Sequence, residues 1–381
     1  MNDKPFVTVI VPVKNFERTI NRTFEYLLGV DYPHQSWEII IADGGSTDKT
    51  LNIVSSWQKK HDFIKLVQIP NCPSPAFARN RALDNAKGDF IFFTDGDCAP
   101  CKEWISIMLS HFARDSKIGA VGGEIYTLRV DSNSLTEAFC EHFKFNMVSP
   151  RYGFIGEGCF PEISDRMPIS IAGHKSYFFV TANVAYRREA MEDAKAKFWD
   201  NPTGEDVDLS IQIRDKGWRL YFAPNAKVDH MHRSTFKALC KVWVTYGAAH
   251  PQLLKKHASR HLQIVFQTLK RQPTISIPSP IKGFIYLGNF HLMSLFGLFF
   301  LFGLAALLIL GFSTWLCSTT VASFLLAAYY MFRFFFWCWY MMPRKYFLSW
   351  CFMKYMTNLF FMLGGLKGSR RYSTLCIEPS F

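Results

Sequence analysis

From Phe284 to Phe312 the chain reads FIYLGNFHLMSLFGLFFLFGLAALLILGF, without a single Asp, Glu, Lys or Arg. About 20 consecutive apolar residues suffice to cross the hydrocarbon of a bilayer, so this stretch is expected to be a spanning helix. A second span is expected over roughly Ser318–Met342, where Arg333 is the only charge. Tyr346–Leu366 is a weaker third segment with Lys354 near its middle. Basic residues mark cytosolic ends of membrane segments, and Arg344-Lys345 and Lys367, Arg370 and Arg371 supply them. Two crossings, over 284–312 and 318–342, place both clusters on one side, with 346–366 at the interface and a basic tail over 367–381. Three full crossings would put that tail outside.

Charge divides the chain at a related place. Through Asp229, 27 Lys and Arg accompany 30 Asp and Glu; beyond it, 16 basic residues face Glu378 alone. The first part is therefore −3 and the remainder +15. A basic, acid-free, aromatic-rich half suits either nucleic acid or an anionic membrane surface. A nucleic-acid domain has no use for the apolar run, so the expected partners are membrane lipids and not nucleic acid. Phe236–Arg271 mixes Lys and Arg with Leu, Val, Trp and Phe, and the region 236–283 is read as amphipathic interface helices with a linker broken by Pro273–Pro280. The ten cysteines show no disulfide framework, and the polar opening residues carry no secretory signal, so reduced thiols facing the cytosol are expected. Cys98 and Cys101 lack a second pair at zinc-finger spacing.

Residues 1–235 alternate strand-like and helix-like patterns. FVTVIVPV reads as a strand buried on both faces and WEIIIA, Phe63–Ile69 and DFIFFT as further strands, with helices over Arg18–Leu28, Thr47–Lys60 and Pro75–Ala86 between them. Further on, Tyr177–Tyr186, Arg219–Ala223 and Ala226–His230 read as strands, Ala190–Ala196 and Asp208–Lys216 as helices, and 145–180 as a long loop. The fold class is α/β, a mainly parallel sheet covered on both faces. Ligands of such sheets bind beyond the carboxyl ends of the strands. Asp43 and the Asp95-Gly96-Asp97 segment both fall at such ends. Two carboxylates separated by one residue suit a hard divalent cation on a diphosphate, because Mg²⁺ and Mn²⁺ prefer oxygen ligands.

With these motifs in order, the sequence resembles family 2 glycosyltransferases of the GT-A fold. The resemblance covers roughly Phe6 to Arg233 and rests on VPVKN, IIADGGSTD, ARNRAL…AKGDFIFFTDGDC, TANVAYRR and GEDVDLSIQIRDKGWRLYF. It implies a nucleotide-diphosphate sugar as donor, UDP favoured, and Mn²⁺ or Mg²⁺ as cofactor. It places Pro12, Lys14, Asn15 and Glu17 at the nucleotide pocket, Asp43 on the nucleobase, and Arg79 on the nucleobase or diphosphate. Asp95 would touch ribose or metal, Asp97 would ligate the metal, and His230 would add a ligand, with His232 its rival. Arg233 would contact the diphosphate, and Thr181 and Asn183 would line the acceptor side.

An inverting displacement needs a carboxylate to take the proton of the attacking hydroxyl. The family pattern assigns this to Asp206, with Glu205 orienting the acceptor and Asp208 a nearby carboxylate; Asp48 reads as a helix cap. The chain departs from the family at Gly44, often a second Asp, and it lacks the Q-x-x-R-W signature of processive synthases, reading KVWVTYGAAH there. One sugar per encounter is therefore expected, passed to a lipid-linked or membrane-bound glycan for an envelope polymer, at the cytosolic face of the inner membrane. Polyprenyl phosphate is the rival acceptor. An inactive scaffold of a glycan assembly complex is the non-enzyme alternative, and Asp97 and Asp206 argue against it.

Overall fold

A computed structural model describes residues 4–145, 147–151, 156–160, 177–200, 203–258, 260–267 and 273–378. Much of the expected 145–180 loop lies outside these residues. The described chain falls into two compact units that meet in sequence at Thr235 and Phe236.

The first unit opens with β1 (Val7–Val13), α1 (Ile20–Leu28), β2 (Trp37–Asp43), α2 (Thr50–Gln58), β3 (Ile64–Gln68), α3 (Pro75–Leu83) and β4 (Phe90–Phe93). It continues through β5 (Cys98–Pro100), α4 (Trp104–Arg114), β6 (Ile118–Leu128), α5 (Leu135–His142), α6 (Val148–Arg151) and β7 (Gly158–Cys159). It closes with β8 (Val184–Arg187), α7 (Arg188–Asp193), α8 (Glu205–Arg214) and β9 (Arg219–Met231). The sheet order is β3-β2-β1-β4-β8-β6-β9-β5, with β7 also on β9. The pairs from β3 to β4 are parallel, as are β6 and β9, while β8 runs antiparallel to both its neighbours. Every residue of β1 and β2 is buried, as continuous β-branched runs require when helices cover both faces. The two short final strands expected from sequence are one, because β9 runs on through Pro224. Tyr177–Tyr186 is strand only from Val184, and β6, which no motif announced, lies inside the sheet.

The second unit contains α9 (Phe236–His257), β10 (His261–Phe266), β11 (Thr274–Pro278), β12 (Gly283–Leu287), α10 (Asn289–Leu310), α11 (Thr314–Met341), α12 (Phe347–Tyr372) and β13 (Leu375–Ile377). The interface-helix expectation for 236–283 is corrected here. Among the described residues of this region only α9 is helical, and β10, β11 and β12 join β13 in a sheet of order β11-β10-β12-β13. HLQIVF, TISIP and GFIYL are short, β-branched and punctuated by Pro and Gly, and the basic residues around them obscured that pattern. The first span accordingly starts at Asn289, because Phe284–Leu287 belongs to β12. The basic tail is also not free-standing, since α12 runs to Tyr372 and β13 pairs with β12.

Among the described residues two helices, α10 and α11, are long and apolar enough to cross a membrane. They pack as an antiparallel pair, with Phe296 stacked on Tyr330 at 6.0 Å and Phe300 against Phe324 at 5.2 Å between ring centroids. The third segment, α12, instead buries Lys354, Thr357, Asn358 and Phe361 and packs along α9. Glycines allow that contact: a Cβ on Gly247 would lie 2.0 Å from the Phe361 carbonyl oxygen, and one on Gly364 2.2 Å from that of Val244.

Candidate active site

Beyond β4 the chain turns through Asp95-Gly96-Asp97 into β5. The Gly96 carbonyl accepts the hydroxyls of Thr19 and Thr23 at 2.9 and 3.0 Å, which fixes the turn to α1. A Cβ on Gly96 would approach Val13 to 2.9 Å and the Phe16 ring to 3.0 Å, so a larger residue would push the turn outward. β5 pairs with β9 so that Cys98 faces His230. That register brings His230 Nε2 to 3.5 Å from Asp97 Oδ1, while Arg233 Nη1 lies 3.8 Å from Asp97 Oδ2. Ligand-type atoms of Asp95, Asp97, Cys98 and His230 all fall within 4.8 Å of one another.

Several features suit this cluster to a divalent cation. Asp97 is buried, and among the described residues neither its Oδ1 nor His230 Nδ1 has a hydrogen-bond partner. An orphaned buried carboxylate oxygen is costly unless positive charge reaches it. Burial, and after it the charge of Asp95, holds the Asp97 carboxyl above the usual carboxylate range, against the pull of His230 and Arg233. Carboxylate oxygens and an imidazole suit Mn²⁺ or Mg²⁺. Burial, then the charges of Asp97 and Asp95, pushes the Cys98 thiol well above its ordinary pKa, and Mn²⁺ and Mg²⁺ prefer oxygen donors to sulfur. His232 points elsewhere. Its Nε2 is 2.9 Å from Thr127 Oγ1, and burial, then the charge of His230, lowers its pKa to about 3.

The second half of the site is joined to the first by Arg79 on α3. Its Nη2 donates to Asp95 Oδ1 at 2.8 Å, and its Nη1 to Glu205 Oε1 at 2.7 Å. Gly204, with φ of 84°, turns the chain into α8 and sets Glu205 and Asp206 at its first turn. Asp95 and the Gly204–Asp206 corner, more than 100 residues apart, thus share one guanidinium. Glu205 is buried; desolvation first, then the neighbouring Asp206, pushes its pKa up to about 7 against Arg79. Asp206 is half-buried, and its Oδ1 accepts the Val207 N–H at 2.8 Å. Asp208 is fully buried and accepts Gln212 Nε2 at 2.7 Å.

Several sequence-assigned residues do other work. Pro12 is buried within β1, and Lys14 is exposed. Asn15, at φ of 60°, accepts the Thr47 N–H on Oδ1 at 2.8 Å, and Glu17 Oε2 accepts the Lys49 N–H at 3.0 Å. Asp48 answers by accepting the N–H groups of Glu17 at 3.1 Å and Thr50 at 2.9 Å, the second being the expected cap-like contact. These bonds clamp the loops after β1 and β2 to each other. Asp43 is buried and accepts Gly45 N–H at 3.0 Å and Ser46 N–H at 3.1 Å, and it is also bonded to the Ser46 hydroxyl. It therefore shapes its own turn.

Asn183 lies inside the sheet. Its Nδ2 donates to the carbonyls of Glu124 and Ala226 at 2.9 and 2.8 Å, and its Oδ1 accepts Trp104 Nε1 at 2.8 Å. All its side-chain hydrogen-bonding groups are engaged within the fold, so it cannot meet an acceptor there. Thr181 is buried beside it in sequence. Sequence reasoning missed Cys98 as a neighbour of the carboxylate pair, although its place directly after Asp97 was the available signal.

A family model described as "Glycosyl transferase family 2" matches residues 8–194, and one described as "Glycosyl transferase family group 2" matches residues 166–363. The chain is similar to a Methanococcus voltae protein, dolichyl N-acetyl-alpha-D-glucosaminyl phosphate 3-beta-D-2,3-diacetamido-2,3-dideoxy-beta-D-glucuronosyltransferase. They are 28% identical over 260 residues, covering 66% of this chain and 74% of that protein. It is 27% identical over 246 residues to the probable glycosyltransferase YdaM of Bacillus subtilis, covering 62% of this chain but only 53% of YdaM. In fold it is similar to the mannosyltransferase of Pyrobaculum calidifontis, solved in complex with GDP-Man and Mn²⁺. The TM-score is 0.53 at 17% identity, over 96% of this chain and 87% of that one.

Proposed function

The chain belongs to glycosyltransferase family 2, with the GT-A fold and two potential membrane spans, and on that premise we propose that it transfers one sugar, with inversion, from a nucleotide-diphosphate sugar to a lipid-linked acceptor. The observation that carries this reading is the Arg79 bridge, which holds the Asp95 turn and the Glu205-Asp206 corner together. Asp95, Asp97 and His230 would hold Mn²⁺ or Mg²⁺, which when bound offsets negative charge on the departing diphosphate.

Asp206 accepts the proton of the acceptor hydroxyl while that oxygen forms its bond to the anomeric carbon. The bond from the anomeric carbon to the diphosphate oxygen breaks on the opposite face, and its electron pair leaves with the nucleoside diphosphate. Glu205, fixed by Arg79, orients the acceptor. Lys14 and Arg233 are cations available to the diphosphate, and the loop clamp built by Asn15, Glu17 and Asp48, with the turn that Asp43 holds, shapes the nucleotide end.

The name of the Methanococcus voltae relative supports an acceptor sugar already carried on a polyprenyl-type phosphate, and this is preferred over polyprenyl phosphate itself. The test incubates the protein with Mn²⁺ or Mg²⁺ and a panel of nucleotide sugars, with and without membrane lipid extract. Nucleotide release that needs the extract, and that Asp206→Asn abolishes while donor binding persists, supports the reading. Release unaffected by Asp206→Asn would overturn it. Mass analysis of the product lipid separates the two acceptors: a lipid phosphate carrying at least two sugars marks the first, and one carrying a single sugar marks polyprenyl phosphate itself.

A further inference from the structure

The four-stranded sheet of the second unit has two unlike faces. Val265, Phe284 and Cys376 lie on one face and are buried. The other face is set by the register, in which Leu262 pairs with Ile277, Ile264 with Ile275 and Ile285, and Ile285 with Ile377. This second face is aliphatic on all four strands and none of these six residues is buried; Ile275 is 50% exposed and Ile277 47%. Ile281, in the connection to β12, adds a side chain 53% exposed. An antiparallel or mixed sheet with one packed face ordinarily turns polar residues to water on the other. Here the polar Gln263, Thr274 and Ser276 share the face of Val265 and Phe284, and the opposite face is the aliphatic one.

Two observations identify what covers it. β12 ends at Leu287 and α10 begins at Asn289, so the sheet is joined through Gly288 to a helix able to span the bilayer. The sheet is therefore held within a few residues of the boundary between headgroups and hydrocarbon. In addition, no Asp or Glu occurs between Asp229 and Glu378, whereas Lys255, Lys256, Arg260 and Lys282 flank the strands. Nothing acidic in that stretch repels anionic headgroups, and the flanking cations attract them.

We propose that this sheet is a membrane-seating surface: its isoleucine face lies in the lipid interface beside the first span, and the partner it fits is an anionic bilayer. The sheet then supplies the interfacial contact that amphipathic helices supply elsewhere.

The test reconstitutes the full chain in nanodiscs of anionic phospholipid doped with a phospholipid carrying a photoactivatable diazirine on its acyl chain. Adducts are mapped by peptide mass spectrometry, with α10 as the internal positive and the exposed side of the first unit as the negative. Adducts on the peptides spanning 261–266 and 273–287, at a yield near that of α10, support the proposal. The double variant Ile275→Gln, Ile277→Gln should lose those adducts and keep those on α10. Labelling of α10 without labelling of the sheet overturns it. So does the recovery, after adding a bifunctional protein cross-linker to the same discs, of peptides 261–266 or 273–287 joined to those of a second copy of the chain, because the face would then be a subunit interface.

Discussion

Replacing Arg79 with Met leaves two carboxylates without their shared cation, and the consequence depends on pH. In the native protein Glu205 is raised from an ordinary 4.5 to about 7. A carboxyl raised on folding favours the folded state at low pH, and that advantage declines as pH climbs from the unfolded pKa to the folded one. With Arg79 present the decline ends near pH 7. Without it the Glu205 pKa rises further, and the decline continues. Each pKa unit is worth about 1.4 kcal/mol, or a factor of ten. At pH 8 the variant therefore carries an extra penalty of about 1.4 kcal/mol at Glu205, beyond a pH-independent loss of about 1–2 kcal/mol for the partly exposed Asp95 bond. At pH 5.5 Glu205 is neutral in both proteins and only the second loss remains.

Because Arg79 holds the first turn of α8, the assay is amide hydrogen exchange of the peptide spanning 203–214, corrected for intrinsic rates. The variant-to-native exchange ratio should be about tenfold larger at pH 8 than at pH 5.5. A ratio that is the same at both pH values would refute the bridge as the element that joins the two halves of the site.

Asp206→Asn should lower kcat by roughly 10²–10⁴-fold, the range for a lost general base, with donor affinity by titration unchanged. His230→Ala should weaken Mn²⁺ binding, read by electron paramagnetic resonance of free Mn²⁺, by about tenfold or more, whereas His232→Ala should leave it nearly intact because that ring faces Thr127. Gly247→Leu should disrupt the α9–α12 contact, where even a Cβ overlaps the Phe361 carbonyl, at a cost of about 3 kcal/mol or more. Fluorescence-detected size exclusion in detergent should show loss of the monodisperse peak.

Much of the first unit was legible because its signals are local. Continuous apolar strands such as FVTVIVPV have little choice but burial on both faces, and the Asp95-Gly96-Asp97 turn announces itself by following one of them. The second unit misled for the opposite reason. β12 lies between β10, paired 21 residues earlier, and β13, paired 92 residues later, so its strand character depends on partners outside its own stretch of sequence. The same distance hid the work of Asn183, a polar residue in a recognisable motif whose partners, Trp104, Glu124 and Ala226, lie on three other segments.

The order of the apolar and charged residues alone determined that part of this chain is suited to a bilayer and that its first part is an α/β sheet. It also singled out the Asp95-Gly96-Asp97 turn, since hydrophobic length, strand periodicity and residue chemistry are properties of the chain itself. Only the tertiary structure decided that His230 rather than His232 faces Asp97, that Asp208 is sealed inside α8, and that Arg79 binds two carboxylates at once. Each of those outcomes depends on which strands pair and in which register, and a register shift of one residue turns a side chain to the opposite face of the sheet.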